Sequence, residues 1–334
     1  MTNEGIRLKI AIGAVSIILI GICILGIING AVSKDEMPVV KAAVNKDCSG
    51  TPWFVGEQKG FFEKAGFKLD DVGQIAFTQQ PAAFVSGQID VMDNHPVGII
   101  NLIKGGAPII AVAQGGDEPL DGDITKMHMH WLVRDDSPIK TFADIGKQKD
   151  KVKIQIVASG VCSDVETNAL LRKYNIPKDK IEYVILPDPE AIPALKQGLI
   201  DVAALHPPFF TAMEKEGGVR IIATSTEAFG PAAGQTLICF QKDFIKNHPD
   251  AVRKFIKGFK DAQRWSNDNR AEAGDITAKA IGLKAATVHW YSRSGKINET
   301  EIQAWIDAMV ADGTIKKGEF KPSDLYTTEF KDTW

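Results

Sequence analysis

The sequence contains little cysteine and no excess of basic residues. Its 334 residues include four cysteines, none in a CxxC spacing, which excludes a disulfide-stapled scaffold. Lys and Arg number 39 against 42 Asp and Glu, so the net charge of -3 offers nothing to attract a nucleic-acid backbone. A hydrophobic content of 44% and a charged content of 24% are typical of a globular protein and exclude a disordered chain.

Long apolar runs are also scarce, with one exception at the N-terminus. Residues 10–28 form a stretch of 19 residues without charge, preceded by Arg7 and Lys9. This pattern is typical of an export signal or of a membrane anchor, and its length suits both. Ala31, Val32 and Ser33 are small enough to precede a cleavage before Lys34. Residues 1–33 therefore predict an extracytoplasmic protein, either exported or anchored.

The remaining sequence alternates short β-branched runs with stretches of helical length, which predicts an α/β architecture with mostly parallel sheets. At roughly 100 to 200 residues per domain, the length allows about two domains. The predicted strands are residues 39–44, 89–92, 109–113, 152–157, 181–186, 200–205 and 219–223. The predicted helices are residues 53–65, 96–104, 163–174 and 190–198, followed by a helical C-terminal tail of residues 248–267, 270–281 and 299–311.

An internal repeat indicates two similar lobes. Residues 87–96 (GQIDVMDNHP) and 198–207 (GLIDVAALHP) share six of ten positions at an offset of 111. In each copy a buried strand precedes a His, and a Pro begins the next helix. Because ligands bind outside the carboxyl ends of parallel strands, His95 and His206 are predicted at equivalent ligand-facing edges of the two lobes.

Residues 127–134 form a strand-like segment between the first and the second run of alternating strands and helices. Residues 235–241 form another between the second run and the helical tail. A chain that leaves the first lobe and later returns needs two crossings. These segments therefore predict a two-strand hinge.

Six short segments, taken in order, resemble the type II substrate-binding proteins of ABC importers, in the nitrate, sulfonate, taurine and thiamine-pyrimidine branch. They are residues 56–67 (GEQKGFFEKAGF), 86–91 (SGQIDV), 105–109 (GGAPI), 137–145 (SPIKTFADI), 194–201 (ALKQGLID) and 248–255 (HPDAVRKF). The resemblance covers about residues 38 to 320.

The resemblance implies a two-lobed type II periplasmic-binding-protein fold that closes around a small solute. Lobe 1 is expected from residues 38–128 with 242–334, and lobe 2 from residues 129–241. It further implies delivery of a sulfonate, taurine or nitrate solute to an ABC permease and its ATPase subunit. A receptor for a thiamine-pyrimidine precursor is the alternative of the same class.

The family's pocket is built from loops that follow the strands, which implies four groups of ligand-binding residues in this sequence. They are Ser49, Gly50, Thr51 and Trp53; Gln79 and Gln80; Asn94 and His95 with His206; and Ser159 and Gly160, with Glu190 at another expected cleft edge. Trp53 suits both a stacking wall and packing between helices.

Two features of these groups bear on the ligand. Ser163 and Glu166 have the spacing of a capping box, which weakens an anion site at that helix start. Lys46, in the loop that leads into the first group, is the single basic residue among these segments, so a zwitterion or a neutral heterocycle suits the pocket better than a bare dianion.

No metal, cofactor or catalytic residue is predicted. The two histidines of the repeat suit hydrogen bonding to the ligand, capping of the following helices or, as the least favoured alternative, metal binding. His128 and His130 fall in the predicted hinge. Cys48 and Cys162 are expected to be free thiols. The alternative of another class is an enzyme like the thiamine-pyrimidine synthases, but the sequence lacks their cysteine cluster.

Overall fold

The computed structural model describes residues 37–334, apart from the side chains of Cys48 and Phe77. The predicted signal or anchor segment lies outside these described residues. Among the described residues, no helix has both the length and the apolar composition needed to cross a membrane.

Two five-stranded sheets form the framework of the described residues. The strands are β1 (Val39–Ala42), β2 (Lys68–Asp71), β3 (Val91–Asn94), β4 (Ile109–Gln114), β5 (Gly116–Asp117), β6 (His130–Arg134), β7 (Val152–Ile156), β8 (Ile181–Ile185), β9 (Val202–Leu205), β10 (Val219–Thr224), β11 (Leu237–Gln241) and β12 (Trp290–Tyr291). The first sheet has the order β2-β1-β3-β11-β4, the second has the order β10-β6-β9-β7-β8, and β5 pairs with β12.

Helices cover both sheets. They are α1 (Thr51–Gln58), α2 (Phe61–Ala65), α3 (Gln80–Val85), α4 (Pro96–Lys104), α5 (Cys162–Lys173), α6 (Asp188–Lys196), α7 (Phe209–Glu216), α8 (Ser225–Phe229), α9 (Lys242–Asn247), α10 (Pro249–Asp268), α11 (Arg270–Ile281) and α12 (Glu299–Ala311). The single helix predicted over residues 53–65 is two helices, because Gly60 adopts a left-handed conformation with φ of 70° and interrupts it.

Each sheet is parallel except where a crossing strand enters it. In the first sheet β1 runs parallel to β2 and β3, whereas β11 is antiparallel to both β3 and β4. In the second sheet β7 is parallel to β8 and β9, whereas β6 is antiparallel to β9 and β10. The two predicted crossings are thus the antiparallel strands of the two sheets. β11 pairs with strands of the first sheet, although the predicted bounds of lobe 2 include residues 235–241.

Strands β4, β9 and β11 are buried on both faces, which explains why their sequences are almost continuously apolar, whereas the edge strand β2 is mostly exposed. In β3, Val91 packs with Phe255 of α10 on one face, and Met92 packs with Trp305 of α12 on the other. In the second sheet, Trp131 and Leu132 likewise belong to different cores. The α/β class predicted from the sequence is confirmed.

Candidate functional site

The two histidines of the repeat stand at the ends of strands, as the repeat predicts. His95 directly follows β3 and precedes α4, and its side chain caps no backbone group. His206 directly follows β9 and precedes α7. Helix capping, the structural role considered for His95, is therefore not what its imidazole does.

His128 lies between these two histidines and links them. Its ring centroid is 4.5 Å from that of His95 and 4.9 Å from that of His206, and the ring of His289 lies 5.8 Å away on another side. All four rings are largely or fully withdrawn from solvent. We call these four imidazoles, together with the Cys162 thiol, the histidine cluster.

Cys162, His206 and Asp188 form a hydrogen-bonded series within the cluster. The sulfur of Cys162 lies 3.3 Å from Nε2 of His206, and Nδ1 of His206 lies 2.7 Å from an Asp188 carboxylate oxygen. The same oxygen accepts the backbone N–H of His206 at 3.2 Å. Burial opposes the charge on His206, but Asp188 and Cys162 raise its pKa well above the usual value. The Asp188 carboxylate thus fixes the ring orientation that presents Nε2 to the thiol.

The predicted capping box at Ser163 is wrong. The helix begins one residue earlier, at Cys162, and its N-cap is Val161. The Ser163 hydroxyl accepts the backbone N–H of Val157 at 3.1 Å instead of capping α5. This shift frees Glu166 from the backbone and leaves its carboxyl group to face the cluster.

Two buried carboxyl groups border the cluster. Glu166 is fully buried, and burial raises its pKa well above the usual value, with the Cys162 and Glu118 charges adding to the effect. Burial also raises the pKa of Glu118 to about 7, although the hydroxyls of Ser225 and Thr226 donate to its Oε1. The cluster therefore lies in a region where charge is costly unless it is matched.

Several polar atoms of the cluster have no hydrogen-bond partner among the described residues. They are both ring nitrogens of His128, Nδ1 of His95, Nδ1 of His289 and both carboxyl oxygens of Glu166. Burial, followed by the charges of His95, His206 and His289, holds the pKa of His128 well below its usual value. An imidazole kept neutral and unpartnered in this way retains a free lone pair.

The residues of the first predicted group are engaged in packing and hydrogen bonds of their own. Trp53 is 3% exposed and packs with Phe255 and Phe259 at ring distances of 5.4 and 4.7 Å. Thr51 pairs its hydroxyl with that of Thr277 at 2.6 Å, and Ser49 donates to Asp47. Gly50 is buried where a Cβ would meet the carbonyl oxygen of Asn45 at 2.2 Å, which is a packing requirement.

The other predicted residues divide between the cluster and its surroundings. The Asn94 side chain accepts the backbone N–H of His95 at 2.8 Å. The carbonyl of Gly160, in the loop before α5, accepts a hydrogen bond of 2.8 Å from the Asn101 amide of α4. Within the described part of the chain, the remaining predicted residues make no hydrogen bond to the cluster: Ser159, Gln79 and Glu190 are exposed, and Gln80 donates to the carbonyl of Ile75.

Sequence reasoning missed His128, His289, Cys162 and Asp188 as members of the site. His128 was assigned to a hinge strand, yet it lies two residues before β6 and turns inward. Glu190 is predicted at this cleft edge, but Asp188 is the acid that reaches His206. His130 is separate from the cluster, because its Nδ1 pairs with Glu214 at 2.7 Å.

Comparisons with known proteins identify relatives of this fold. Residues 33–282 match the NMT1-like family. An aliphatic sulfonates-binding protein of Bacillus subtilis (strain 168) is 28% identical over 254 residues, which cover 74% of this chain and 71% of the relative.

Solved structures show how widely the fold is shared. The periplasmic aliphatic sulphonate binding protein SsuA of Escherichia coli superposes with a TM-score of 0.68 at 19% identity, covering 86% of this chain and 92% of its own. The desulfurization enzyme DSZB superposes with a TM-score of 0.64 at 11% identity, covering 88% and 98%. The predicted two-lobed periplasmic-binding-protein fold is thereby confirmed.

Proposed function

Because most of its length matches that family, the chain belongs to the NMT1-like family, and on this premise we propose that it is the extracytoplasmic solute-binding component of an ABC import system. The observation that carries the proposal is the histidine cluster, a buried polar site assembled from the strand ends of both sheets. A receptor that closes on a small solute needs such a site between its lobes. The sulfonate relative supports a solute of the sulfonate, taurine or nitrate class.

The lobes of this proposal are residues 38–128 with 242–334, and residues 129–241. Contacts between the two sets support a closed arrangement. The Asn101 amide donates to Gly160, and Arg172 and Lys178 both pair with Asp312. Opening the cleft would break these polar contacts and expose the histidine cluster.

Ligand titration tests the function directly. The full chain is titrated with taurine, an alkanesulfonate, nitrate and a thiamine-pyrimidine precursor, while melting temperature and radius of gyration are followed. The bound solute should raise apparent stability by RT ln(1 + [L]/Kd) and reduce the radius of gyration. If the folded protein binds none of these solutes at millimolar concentration, the proposed function is wrong.

We further propose that residues 10–28 export or anchor the protein. The apolar run supports this assignment, and the remaining question is whether cleavage follows Ser33. Cell fractionation should place the protein outside the cytoplasm or with the membrane. Mass spectrometry of the native N-terminus then separates the two forms: a chain that starts at Lys34 excludes the anchor.

A thiol enzyme is the competing function, and we propose binding over catalysis. The series Cys162, His206 and Asp188 has the order of a nucleophile, a base and an orienting acid, which favours the enzyme. DSZB shows that this fold also occurs in enzymes. Mass spectrometry of each titrated solute after prolonged incubation decides between them. Unchanged solute supports a receptor, and a product that disappears with Cys162→Ala supports an enzyme.

A further inference from the structure

Four of the six histidines in the sequence meet in the cluster. The other two have separate positions, His130 paired with Glu214 and His248 exposed at the start of α10. Solute binding by hydrogen bonds alone does not require so many imidazoles beside a thiol. The set of side chains therefore indicates a second chemistry in the same cleft.

The unpartnered nitrogens are the strongest indication of a missing partner. His128 is 4% exposed and His95 is 8% exposed, yet within residues 37–334 three of their four ring nitrogens have either no hydrogen bond or only a distant carboxylate. A buried polar atom without a partner costs free energy, so proteins rarely keep several together. A bound water satisfies one or two such atoms, but it does not account for a thiol in their midst.

The donor atoms also converge on one point. The ligating atoms of His95, His128 and Cys162 all lie within 4.8 Å of one another. Nε2 of His206 is 3.3 Å from the Cys162 sulfur. Donor atoms of a tetrahedral zinc site, with bonds of about 2.0 to 2.3 Å, are roughly 3.3 to 3.8 Å apart. Contraction by about 1 Å, well within side-chain rotation, brings the donor atoms of His95, His128 and Cys162 to this spacing.

We propose that His95, His128 and Cys162 bind a divalent first-row transition ion such as Zn²⁺, with Nε2 of His206 as the fourth donor. Imidazole and thiolate are the ligands that this class of ion prefers. The proposal goes beyond solute binding, because it assigns an ion to the site whatever the solute is.

One carboxylate is placed to orient a ligand. Asp188 holds Nδ1 of His206 at 2.7 Å, which directs Nε2 of that ring toward the Cys162 sulfur. Carboxylates in this position fix the tautomer and orientation of metal-bound histidines. Asp188 is thus a positioning residue of the site.

The donors come from both lobes of the proposed receptor. His95 follows a strand of the first sheet, whereas Cys162 and His206 follow strands of the second. An ion bound to all of them holds the lobes in the closed arrangement. Metal binding should therefore reduce the radius of gyration even without solute.

The test uses the tag-free full chain in detergent after treatment with a chelator. Titration with Zn²⁺ should give one ion per chain. Co²⁺ should give the intense visible bands of a tetrahedral site and a thiolate charge-transfer band in the near ultraviolet. Cys162→Ala should abolish that band, whereas Cys239→Ala, which removes a buried thiol outside the cluster, should retain it.

Histidine variants localise the ion. His95→Asn and His128→Asn should each weaken Zn²⁺ binding more than roughly 100-fold, and Asp188→Asn should weaken it about 10- to 100-fold. His248→Asn is the matched control, because His248 is exposed and should leave the affinity unchanged. Melting curves of the variants, recorded after metal has been removed with a chelator, identify any that have lost the fold. The Co²⁺ spectra of the variants that remain folded are then compared with the spectrum of the wild type.

Two results would overturn the proposal: no stoichiometric Zn²⁺ binding by the folded wild-type chain, or binding that survives both Cys162→Ala and His128→Asn. Solute titrations in excess chelator distinguish the proposed ion site from the proposed solute-binding function. Solute binding without metal binding rejects the ion site alone, and metal binding without solute binding rejects the transport function alone.

Discussion

Cys162 and His206 face each other at 3.3 Å, sulfur to Nε2, although 44 residues separate them in the sequence. Burial raises the pKa of the Cys162 thiol, but the charges of His95 and His206 outweigh it and lower the pKa to about 6. The other described free cysteine, Cys239, is buried in the first sheet, and burial raises its pKa well above the usual value. The two thiols therefore differ in chemistry as well as in position.

Alkylation with iodoacetamide measures this difference. In metal-free protein the Cys162 thiolate forms as pH rises through about 6, so the reaction should already be near its maximum rate at pH 7. Peptide mass spectrometry assigns the modified cysteines, and Cys239 should remain unmodified. His206→Ala should move the midpoint toward the ordinary thiol value of about 8.5. A wild-type midpoint near 8.5 would contradict the stated effect of the two histidines.

Asn101 and Gly160 make a hydrogen bond of 2.8 Å between the helix α4 that follows β3 and the loop that precedes α5. Asn101→Ala removes it, and a typical intramolecular hydrogen bond contributes about 0.5 to 1.5 kcal/mol. The ratio of open to closed molecules should rise about 2- to 12-fold, and the radius of gyration should increase in scattering. Asn247→Ala removes an exposed amide in α9 and is the matched control. Equal radii for the two variants would show that the bond does not stabilise closure.

The carboxyl groups of Glu301 and Asp117 line a cavity of about 600 Å³ and should make the free energy of unfolding depend on pH. Burial, followed by the charge of Asp117, raises the pKa of Glu301 to about 7. Between about pH 4.5 and 7 the native carboxyl keeps a proton that the unfolded chain has lost. The free energy of unfolding therefore falls as pH rises through this window, by at most about 3 kcal/mol.

Glu301→Gln should remove the share of this dependence that Glu301 contributes and make the pH slope shallower, because an amide keeps the shape and cannot ionise. Urea unfolding at pH 5 and pH 8 measures the change. Glu182→Gln, on the exposed edge strand β8, should leave the slope as it is in the wild type. A variant with the same pH slope as the wild type would assign the dependence to other carboxyl groups.

The sequence predicts much of the fold, because its elements follow from local patterns. Helices α4, α11 and α12 match their predicted bounds, since each lies between clear start and stop residues. The capping box at Ser163 failed for a tertiary reason: the hydroxyl that would have capped α5 bonds instead to Val157 at the end of the preceding strand. Local spacing carries no information on that competition.

The site was predicted only in part, for the same reason. His95 and His206 are recoverable because the repeat marks equivalent strand ends. His128 and His289 come from connections with no such regularity, and their meeting with the other rings depends on how the lobes pack. No spacing in the sequence signals the contact between Cys162 and His206, since it joins a helix start to the end of a different strand.

Gly98, in the first turn of α4, should be required for the placement of His95. A Cβ at Gly98 would lie 2.4 Å from Oδ1 of Asn94, the atom that accepts the His95 backbone N–H. Ala normally stabilises a helix by about 1 kcal/mol over Gly. Here Gly98→Ala should instead destabilise the protein by about 1 kcal/mol, because Asn94 must rotate away and leave that N–H unpartnered.

A double-mutant cycle isolates this coupling. In an Asn94→Ala background the obstruction is gone, so adding Gly98→Ala should stabilise the protein by about 1 kcal/mol, reversing the sign seen in the wild type. Gly146→Ala is the control, because a Cβ there meets only Ile176 at an ordinary 3.4 Å. Urea titration measures the free energy of unfolding of the wild type, of both single variants and of the double variant. If Gly98→Ala has the same effect in both backgrounds, Asn94 is not what makes this glycine necessary, and the link from α4 to the histidine cluster fails.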